Sequence, residues 1–126
     1  MTPARILVVE DNPLNLKLAR DVLMFANYDV IEAQSGEDAL RVAQETPPDL
    51  VLMDLQLPGI DGTETLRRLR EGALGPEVPV VAVTALAMAE DKERAARAGF
   101  DGYIEKPISP RALPGQIEAF LNGRAP

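Results

Sequence analysis

A short apolar segment in the middle of the chain constrains its fold more than any other feature. Residues 48–62 read PDLVLMDLQLPGIDG, and the apolar run 50–53 ends abruptly at Asp54. A short apolar run without polar alternation, bounded by proline and glycine, is typical of a strand buried on both faces, as in a parallel sheet. Asp54 then lies at the carboxyl end of this strand, where open α/β sheets bind their ligands. Because aspartate also commonly begins a turn, the rest of the chain must decide between the two interpretations.

Four more segments have the composition of strands, and helical patterns separate them. The strands are predicted at residues 5–9, 29–33, 78–83 and 102–105. Three of the helices are predicted to start at the caps Asn12, Ser35 and Ser109, and the other two to occupy about 64–70 and 88–98. This alternation predicts βαβ units with right-handed crossovers and helices on both faces of a parallel sheet. We therefore predict an α/β fold, a single doubly wound (βα)5 domain over residues 1–126 with its core at about 5–121 and the flavodoxin-like strand order 2-1-3-4-5.

Composition removes several classes of function. The 126 residues include no cysteine and no histidine, which excludes disulfides, thiolate or imidazole metal ligands and the commonest acid–base catalyst at neutral pH. A formal net charge of −7 disfavours binding to nucleic acid or to an anionic membrane. No apolar run approaches the roughly 18 residues that cross a bilayer, and the N-terminus has no signal-peptide pattern. We expect a cytoplasmic protein without nucleic-acid or membrane partners, whose chemistry rests on carboxylates, lysine and hydroxyl groups.

Polar residues terminate the most apolar strands. Glu10 and Asp11 follow the first strand, and Asp54, Thr84 and Lys106 end the third, fourth and fifth. Each of them alone has an ordinary structural explanation, as a cap, a strand former or a solvated charge. Together they are harder to explain in that way, because the carboxyl ends of parallel strands converge on one edge of the sheet near the point where the strand order reverses. We therefore predict that these side chains line one pocket.

The predicted pocket suits a metal ion and a phosphoryl group. Carboxylates brought close together repel one another, so either one of them is protonated or a cation joins them. Oxygen ligands with room for water favour Mg²⁺, with Mn²⁺ as a substitute. Lys106 adds a compact positive charge and Thr84 a hydroxyl donor, while a carboxylate can be the nucleophile toward phosphorus. Asp54 is the only acid at the end of the central strand, so we predict that it is the nucleophile.

Four short motifs carry the polar residues of this pocket, in the order VVEDN, LMDLQLPGIDG, VVAVTA and GYIEKPI. In this order they resemble the receiver domains of two-component response regulators, where they supply the acidic pair, the phosphoacceptor, the hydroxyl residue and the Lys-Pro turn. The resemblance extends from about residue 5 to residue 121 and implies the receiver-like fold. Within the family, the stretches EDNPLNLKL, VTALAM and KPIS are most similar to single-domain cell-division regulators of the DivK type.

The resemblance implies a role for each acidic position. Asp54 is expected to accept a phosphoryl group from a phosphohistidine on a histidine kinase or a histidine phosphotransferase. Asp11 and Asp54 are expected to coordinate Mg²⁺, with Glu10 acting mainly through water and the backbone carbonyl of Gln56 as a further ligand. The protein is then a signalling phosphoacceptor of a two-component or phosphorelay pathway, and it catalyses only its own phosphorylation and dephosphorylation.

The resemblance also implies a conformational switch. Lys106 is expected to pair with the phosphoryl group, and its bond to Pro107 to be cis. Thr84 is expected to move toward a phosphoryl oxygen, and the small Ala85 to let its backbone N–H approach another. Tyr103 then turns inward, and the face of the fourth helix, fifth strand and fifth helix binds a downstream protein. Tyr103 is also explained as an ordinary half-buried aromatic residue.

Further expectations concern the surface and the hydrolysis rate. The first helix, with Leu16 and Leu18, is a candidate docking surface for the phosphodonor, although its apolar residues equally suit the core. Arg94 and Arg97 are candidates for pairing with a partner, with a solvated face as the alternative. The apolar Leu86 offers no group to position attacking water, which predicts slow self-dephosphorylation. We expect a monomer or a weak phosphorylation-dependent dimer.

Other classes of protein share parts of this pattern. An aspartyl-phosphate phosphatase also has an Asp nucleophile after a strand, but the second acid expected two residues later is here Gln56. A flavodoxin-like cofactor binder needs a phosphate loop rich in Ser, Thr and Gly after the first strand, where this chain has EDNPLN. A receiver domain excised from a hybrid histidine kinase fits the sequence as well as a stand-alone regulator does.

Overall fold

The chain folds into a parallel sheet flanked by helices. The computed structural model describes residues 3–57, 59–85 and 88–122. The elements in these residues are β1 (Arg5–Val9), α1 (Pro13–Phe25), β2 (Asp29–Ala33), α2 (Gly36–Glu45), β3 (Leu50–Asp54), α3 (Gly62–Glu71), β4 (Val80–Thr84), α4 (Ala89–Ala98), β5 (Gly102–Glu105) and α5 (Leu113–Leu121). Neighbouring strands are parallel, and their order across the sheet is β2-β1-β3-β4-β5. The predicted doubly wound α/β fold and its strand order are confirmed.

Local sequence signals set most helix ends. The Asn12 side chain accepts a hydrogen bond from the N–H of Leu14 at 2.9 Å, and a proline occupies the first position of α1. Ser35 caps α2 in the same way through the N–H of Asp38, at 3.0 Å. Gly99 ends α4 with a φ of 106°, a left-handed conformation that glycine adopts without strain. These signals lie within a few residues of each helix end, which is why the sequence predicts them.

Two apolar layers hold the sheet between the helices. Residues of α2, α3 and α4 pack on one face, and residues of α1 and α5 pack on the other. Every residue of β3 and β4 is buried, which explains why these strands are apolar without alternation. The strand order reverses between β1 and β3, so the polar ends of these two strands lie side by side. No helix in the described part of the chain has both the length and the apolar character needed to cross a membrane.

The predicted start of the fourth strand at residue 78 is wrong. The strand begins at Val80, and side chains from distant parts of the chain bond to backbone groups around its start. The Val78 carbonyl accepts a hydrogen bond from Arg70 of α3 at 2.5 Å, and the Val80 N–H donates to the Asp101 carboxylate at 2.8 Å. Arg70 and Asp101 also form an ion pair at 2.6 Å. The Arg70 side chain therefore links α3 to the segments that precede β4 and β5.

The predicted start of the last helix at Ser109 is also wrong, since α5 begins at Leu113. Ser109 forms a separate turn, in which its side chain accepts a hydrogen bond from the N–H of Ala112 at 3.2 Å. Its carbonyl accepts another from the N–H of Leu113 at 2.9 Å. A serine that bonds to the backbone three residues later is common to helix caps and isolated turns, so the local signal is the same for both.

The first helix divides its apolar residues between the core and the surface. Leu16, Ala19 and Leu23 are buried against the sheet. Leu14 and Leu18 are 78% and 36% exposed, respectively. Leu16 therefore belongs to the core, the alternative considered for it, and only Leu18 of the predicted docking pair reaches the surface.

Candidate functional site

Three carboxylates meet at the carboxyl end of the sheet. Glu10 and Asp11 follow β1, and Asp54 ends the neighbouring strand β3. One carboxylate oxygen from each lies within 4.8 Å of those of the other two. Glu10 and Asp54 are only 5% and 3% exposed, whereas Asp11 faces solvent. The structure thus brings together the three acids that the sequence places in one pocket.

Lys106 joins two of these carboxylates. It follows β5, and its Nζ lies 3.0 Å from Asp54 Oδ2 and 3.1 Å from Glu10 Oε1. The Lys106–Pro107 bond is cis, as the resemblance implies. The Lys106 side chain is 18% exposed, so these ion pairs are less screened by water than pairs on the surface. One ammonium group therefore forms ion pairs with two buried carboxylates, and Asp11 adds a third negative charge on the solvent side.

Burial and pairing act in opposite directions on the charged groups. Burial raises the pKa of Glu10, and the hydrogen bonds that its carboxylate accepts from the Asn12 N–H and from Lys106 only partly offset this. Burial acts to lower the pKa of Lys106, but the hydrogen bonds to Asp54 and Glu10 outweigh it, so the pKa of Lys106 is raised. Lys106 is therefore charged at neutral pH, while the charge on Glu10 is disfavoured.

The neighbouring backbone orients the central aspartate and completes the pocket. Asp54 Oδ1 accepts a hydrogen bond from the N–H of Gln56 at 2.9 Å, so both of its oxygens have fixed partners. Thr84 ends the adjacent strand β4 and is fully buried, and Ala85 follows it at the surface. In the register of these strands Asp54 pairs with Val83, so Thr84 is the next position along the neighbouring strand.

Tyr103 lies on β5 opposite Ala82 of β4, and its ring is half-buried. Its hydroxyl oxygen is buried and makes no hydrogen bond with the described residues. The Lys92 ammonium of α4 lies 5.6 Å from the centre of the ring, within the range of a cation–π contact. Burial raises the pKa of Tyr103, and the negative charges of Asp91 and Glu105 add to this. A buried hydroxyl without a partner is costly, so this is a place where a change of conformation can gain a hydrogen bond.

The donor set suits a hard divalent cation. All three acidic side chains offer oxygen, and Lys106 can neutralise only one of their negative charges. A divalent ion would offset the remaining charge, including the disfavoured charge of Glu10. Oxygen ligands of this kind favour Mg²⁺ over transition metals, and the exposed Asp11 leaves room for the waters that Mg²⁺ retains.

Some features of this region were not predictable from the motifs. The direct contact between Glu10 and Lys106 joins residues far apart in the chain, and no local signal indicates it. Asn15 and Ile108 line a cavity beside Lys106, and no motif indicates this cavity. Arg94 pairs with Asp91 of its own helix at 3.2 Å. Leu86, on which the predicted hydrolysis rate depends, lies outside the described residues.

Comparison with known proteins relates the whole arrangement to one family. The family model of the response regulator receiver domain matches residues 6–118. The polar-differentiation response regulator DivK of Brucella anthropi is 42% identical over 119 residues, which cover 94% of this chain and 97% of that protein. The similarity to DivK regulators expected from the sequence is therefore confirmed.

Solved receiver structures superpose closely on this fold. A CheY-like response regulator receiver domain protein from Methanospirillum hungatei has a TM-score of 0.86 and 32% identity, covering 96% of this chain and 95% of that chain. The receiver domain of a sensor histidine kinase from Pseudomonas aeruginosa, with a magnesium ion coordinated in its active site cleft, has a TM-score of 0.86 and 33% identity, covering 95% and 98%. From its motifs, its fold and these matches, the chain belongs to the response regulator receiver domain family of two-component signalling.

Proposed function

We propose that Asp54 accepts a phosphoryl group from a phosphohistidine on a histidine kinase or a histidine phosphotransferase, in a reaction that requires Mg²⁺. The observation that carries this proposal is the position of Asp54. Its carboxylate is buried at the end of β3, 3.0 Å from Lys106 Nζ and within reach of two further acids. A carboxylate held between a lysine and a cation site is suited to attack phosphorus, because the charges of the incoming group are offset on both sides.

Different residues of the pocket would bind the metal ion and the phosphoryl group. Asp11, Asp54 and the backbone carbonyl of Gln56 would hold Mg²⁺, with Glu10 acting mainly through water. When bound, the ion neutralises charge between the carboxylates and the phosphoryl oxygens. Lys106, already beside Asp54, would move its ammonium group onto a phosphoryl oxygen, and the Ala85 N–H would bind another. The Gln56 N–H holds Asp54 Oδ1 in place throughout.

Phosphorylation would then alter the face formed by α4, β5 and α5. Thr84 lies at the end of β4, and Tyr103 lies on β5 with its hydroxyl buried and without a hydrogen bond to the described residues. Movement of Thr84 toward the phosphoryl group would change the space available to the Tyr103 ring. Both arrangements would exist beforehand, and the new contacts of the phosphoryl group would shift their populations.

We also propose that the chain acts as a single-domain regulator, a class to which the DivK relatives belong, either as a monomer or as a weak dimer that forms on phosphorylation. It matches the DivK of Brucella anthropi over 97% of that protein's length, which supports this interpretation. A second candidate, the receiver domain of a hybrid histidine kinase, is favoured by the similarity to a sensor-kinase receiver at 33% identity. The family assignment leaves no role for the phosphatase and flavodoxin-like alternatives.

Intact-mass measurement with a small phosphodonor tests the proposed chemistry. The protein is incubated with acetyl phosphate, with and without Mg²⁺, beside Asp54→Asn. Asp29→Asn, which changes an exposed aspartate at the start of β2, is the matched control. We expect one phosphoryl adduct that needs Mg²⁺, persists in the control and is absent from Asp54→Asn. An adduct on Asp54→Asn, or none on the folded wild type, would contradict the proposal.

A further inference from the structure

The outer face of α1 carries most of the exposed large apolar side chains. Five such residues are exposed in the described part of the chain, and four of them lie on this helix, namely Leu14, Leu18, Met24 and Phe25. Phe25 is 91% exposed, so nearly the whole of its ring is in water. Single apolar residues scattered over a surface are ordinary, whereas apolar residues gathered on one element indicate a binding surface. The outer face of α1 is therefore a candidate interface.

The exposed residues of α1 follow the spacing of a helix–helix contact. Leu14, Leu18, Asp21 and Phe25 are spaced four, three and four residues apart, and all four are exposed. This spacing places them in one row along the helix, on the side away from the core, and we call this row the α1 seam. The same spacing forms the apolar seam along which two helices pack in a coiled coil. A second helix therefore fits the α1 seam.

The charges of the α1 seam are self-complementary. Asp21 lies near the middle of the seam, and Lys17 flanks it, with its Nζ 2.6 Å from Asp21 Oδ2 in the same helix. Both side chains are more than half exposed, so each can also reach a second helix. In an antiparallel pair of α1 helices, Lys17 of each copy lies near Asp21 of the other. A parallel pair would instead place Asp21 against Asp21, and like charges in contact oppose association.

We propose that α1 docks on α1 of a second copy of this chain, with the two helices antiparallel about a two-fold axis. The interface is then isologous, which means that the same surface is used on both copies. Leu14 of each copy packs on Phe25 of the other, and Lys17 of each copy pairs with Asp21 of the other. One kind of occupant thus covers the apolar residues at both ends of the α1 seam.

A phosphodonor bound at the site would not cover the whole of this face. The α1 helix has 13 residues and is about 20 Å long. Its N-terminal half adjoins the site, because Leu18 lines the cavity beside Lys106, whereas Phe25 lies at the opposite end. A protein that reaches Asp54 therefore covers Leu14 and Leu18 and leaves Phe25 in water. The exposure of Phe25 favours a second copy as the occupant of the full seam.

We expect this pairing to be weak. One helix face from each copy is at the low end of the roughly 1,200–2,000 Å² that stable complexes bury in total, and a net charge of −7 opposes the approach of two copies. A dissociation constant of about 0.1–1 mM follows. The pairing needs no phosphoryl group, so it differs from a dimer that forms on phosphorylation. If Asp54 is phosphorylated as proposed, the paired form hides the approach to the site from a protein donor, and the monomer is the form that reacts.

Sedimentation equilibrium of the unphosphorylated protein in EDTA tests the pairing. The protein is examined from about 10 µM to about 1 mM at about 0.15 M salt. Phe25→Gln removes the largest apolar group of the seam, and Met88→Gln is the matched control, because Met88 is 65% exposed and lies outside α1. We expect the apparent mass of the wild type and of Met88→Gln to rise with concentration. Phe25→Gln should weaken association at least about tenfold, since two-fold symmetry counts the substitution twice.

Exchange of charges tests the contact between Lys17 and Asp21. Asp21→Lys and Lys17→Asp should each associate more weakly than the wild type, because each places like charges in contact across the two-fold axis. An equimolar mixture of the two variants should associate more tightly than either alone, since each contact then joins a lysine to an aspartate. Both variants keep a net negative charge, so general attraction between them does not explain such a gain.

Cross-linking tests the antiparallel arrangement, and the absence of cysteine from the chain makes single-cysteine variants unambiguous. Leu14→Cys and Phe25→Cys are mixed under mild oxidation, and intact mass distinguishes the disulfide-linked heterodimer from the two homodimers. We expect the heterodimer to predominate, and an excess of homodimers would overturn the inference.

Two results of the sedimentation experiment would also overturn the inference. A constant apparent mass of the wild type at all concentrations would assign the face to a different protein. Association that Met88→Gln abolishes and Phe25→Gln leaves intact would assign the pairing to another surface. None of these results bears on the phosphorylation of Asp54, which the phosphoryl adduct tests separately.

Discussion

Burial and ion pairing have opposite effects on the ionisation of Glu10. Its carboxylate is 5% exposed, contacts Lys106 at 3.1 Å and accepts a hydrogen bond from the Asn12 N–H at 3.1 Å. Even with these partners its pKa is raised, with burial as the largest cause. The folded chain therefore holds the Glu10 proton more tightly than the unfolded chain does, and ionisation of Glu10 at neutral pH costs folding free energy.

Glu10→Gln should accordingly stabilise the metal-free protein at pH 7. The stabilising contribution of the Glu10 proton is complete below about pH 4.5, the ordinary value, and is lost as the pH rises through the raised pKa of the folded state. The difference between variant and wild type should thus shrink toward acidic pH. Urea unfolding in EDTA from pH 4 to pH 8 measures it, with Glu93→Gln on exposed α4 as the control. A variant less stable than the wild type at pH 7 would show that the contact with Lys106 outweighs burial.

The acidic cluster also predicts how Mg²⁺ affects stability. A ligand that binds only the folded state stabilises it by about 2.7 kcal/mol at a concentration one hundred times its dissociation constant. Mg²⁺ should raise the urea midpoint of the wild type by an amount that grows with concentration, and Asp11→Asn should largely abolish this. Choline chloride at matched ionic strength controls for general salt effects. An equal response in Asp11→Asn would exclude Asp11 as a ligand.

At the scale of elements, α5 packs closely against β5 at a position where the strand has a glycine. A Cβ atom built on Gly102 of β5 would lie 2.1 Å from Cζ of Phe120, so the Phe120 ring of α5 packs directly on the backbone of the strand. Gly115 in α5 offers the opposite case, because a Cβ there meets nothing within 4 Å in the described structure. One glycine lies in a strand and the other in a helix, and the sequence does not reveal which of them is closely packed.

Gly102→Ala should destabilise the fold by about 1–3 kcal/mol, because the Phe120 ring must leave its site. Gly115→Ala is the matched control and should stabilise by about 0.5–1 kcal/mol, since alanine is the better helix former. Combining Gly102→Ala with Phe120→Leu should recover part of the loss, because the smaller side chain leaves room for the methyl group. Chemical unfolding of the three variants and the wild type measures these effects. A neutral Gly102→Ala would mean that α5 shifts without cost.

The elements also show what the sequence could and could not predict. Caps such as Asn12 and Ser35 were predicted because the groups that they bond lie two or three residues away. At the start of β4, by contrast, the backbone bonds to Arg70 and Asp101, which come from two other parts of the chain and leave no local signal. The acids of the site were predictable because parallel strands bring their ends together, whereas the contact from Lys106 to Glu10 and the adjoining cavity arise only from packing.

At the scale of the whole molecule, neighbouring strands connect the site to the face of α4, β5 and α5 that we propose as the binding face. Thr84 ends β4 next to the strand that carries Asp54, and Tyr103 lies on β5, the neighbour of β4 on the other side. The α4 helix covers this region with few anchors, since Ala95 is the only one of its residues that is buried. A change at Asp54 can therefore reach the surface through one strand and one weakly held helix.

Fluorine NMR can follow this coupling, because the chain has two tyrosines and no tryptophan. In 3-fluorotyrosine-labelled Tyr28→Phe, the single signal reports Tyr103. We expect acetyl phosphate with Mg²⁺ to move this signal, because the buried hydroxyl that lacks a partner among the described residues gains a new environment. Thr84→Ala should abolish the movement while intact mass still shows an adduct on Asp54, since the link between β3 and β5 runs through β4. A signal that moves equally in Thr84→Ala would show that Tyr103 responds by another route, most directly through α4, whose Lys92 lies over its ring.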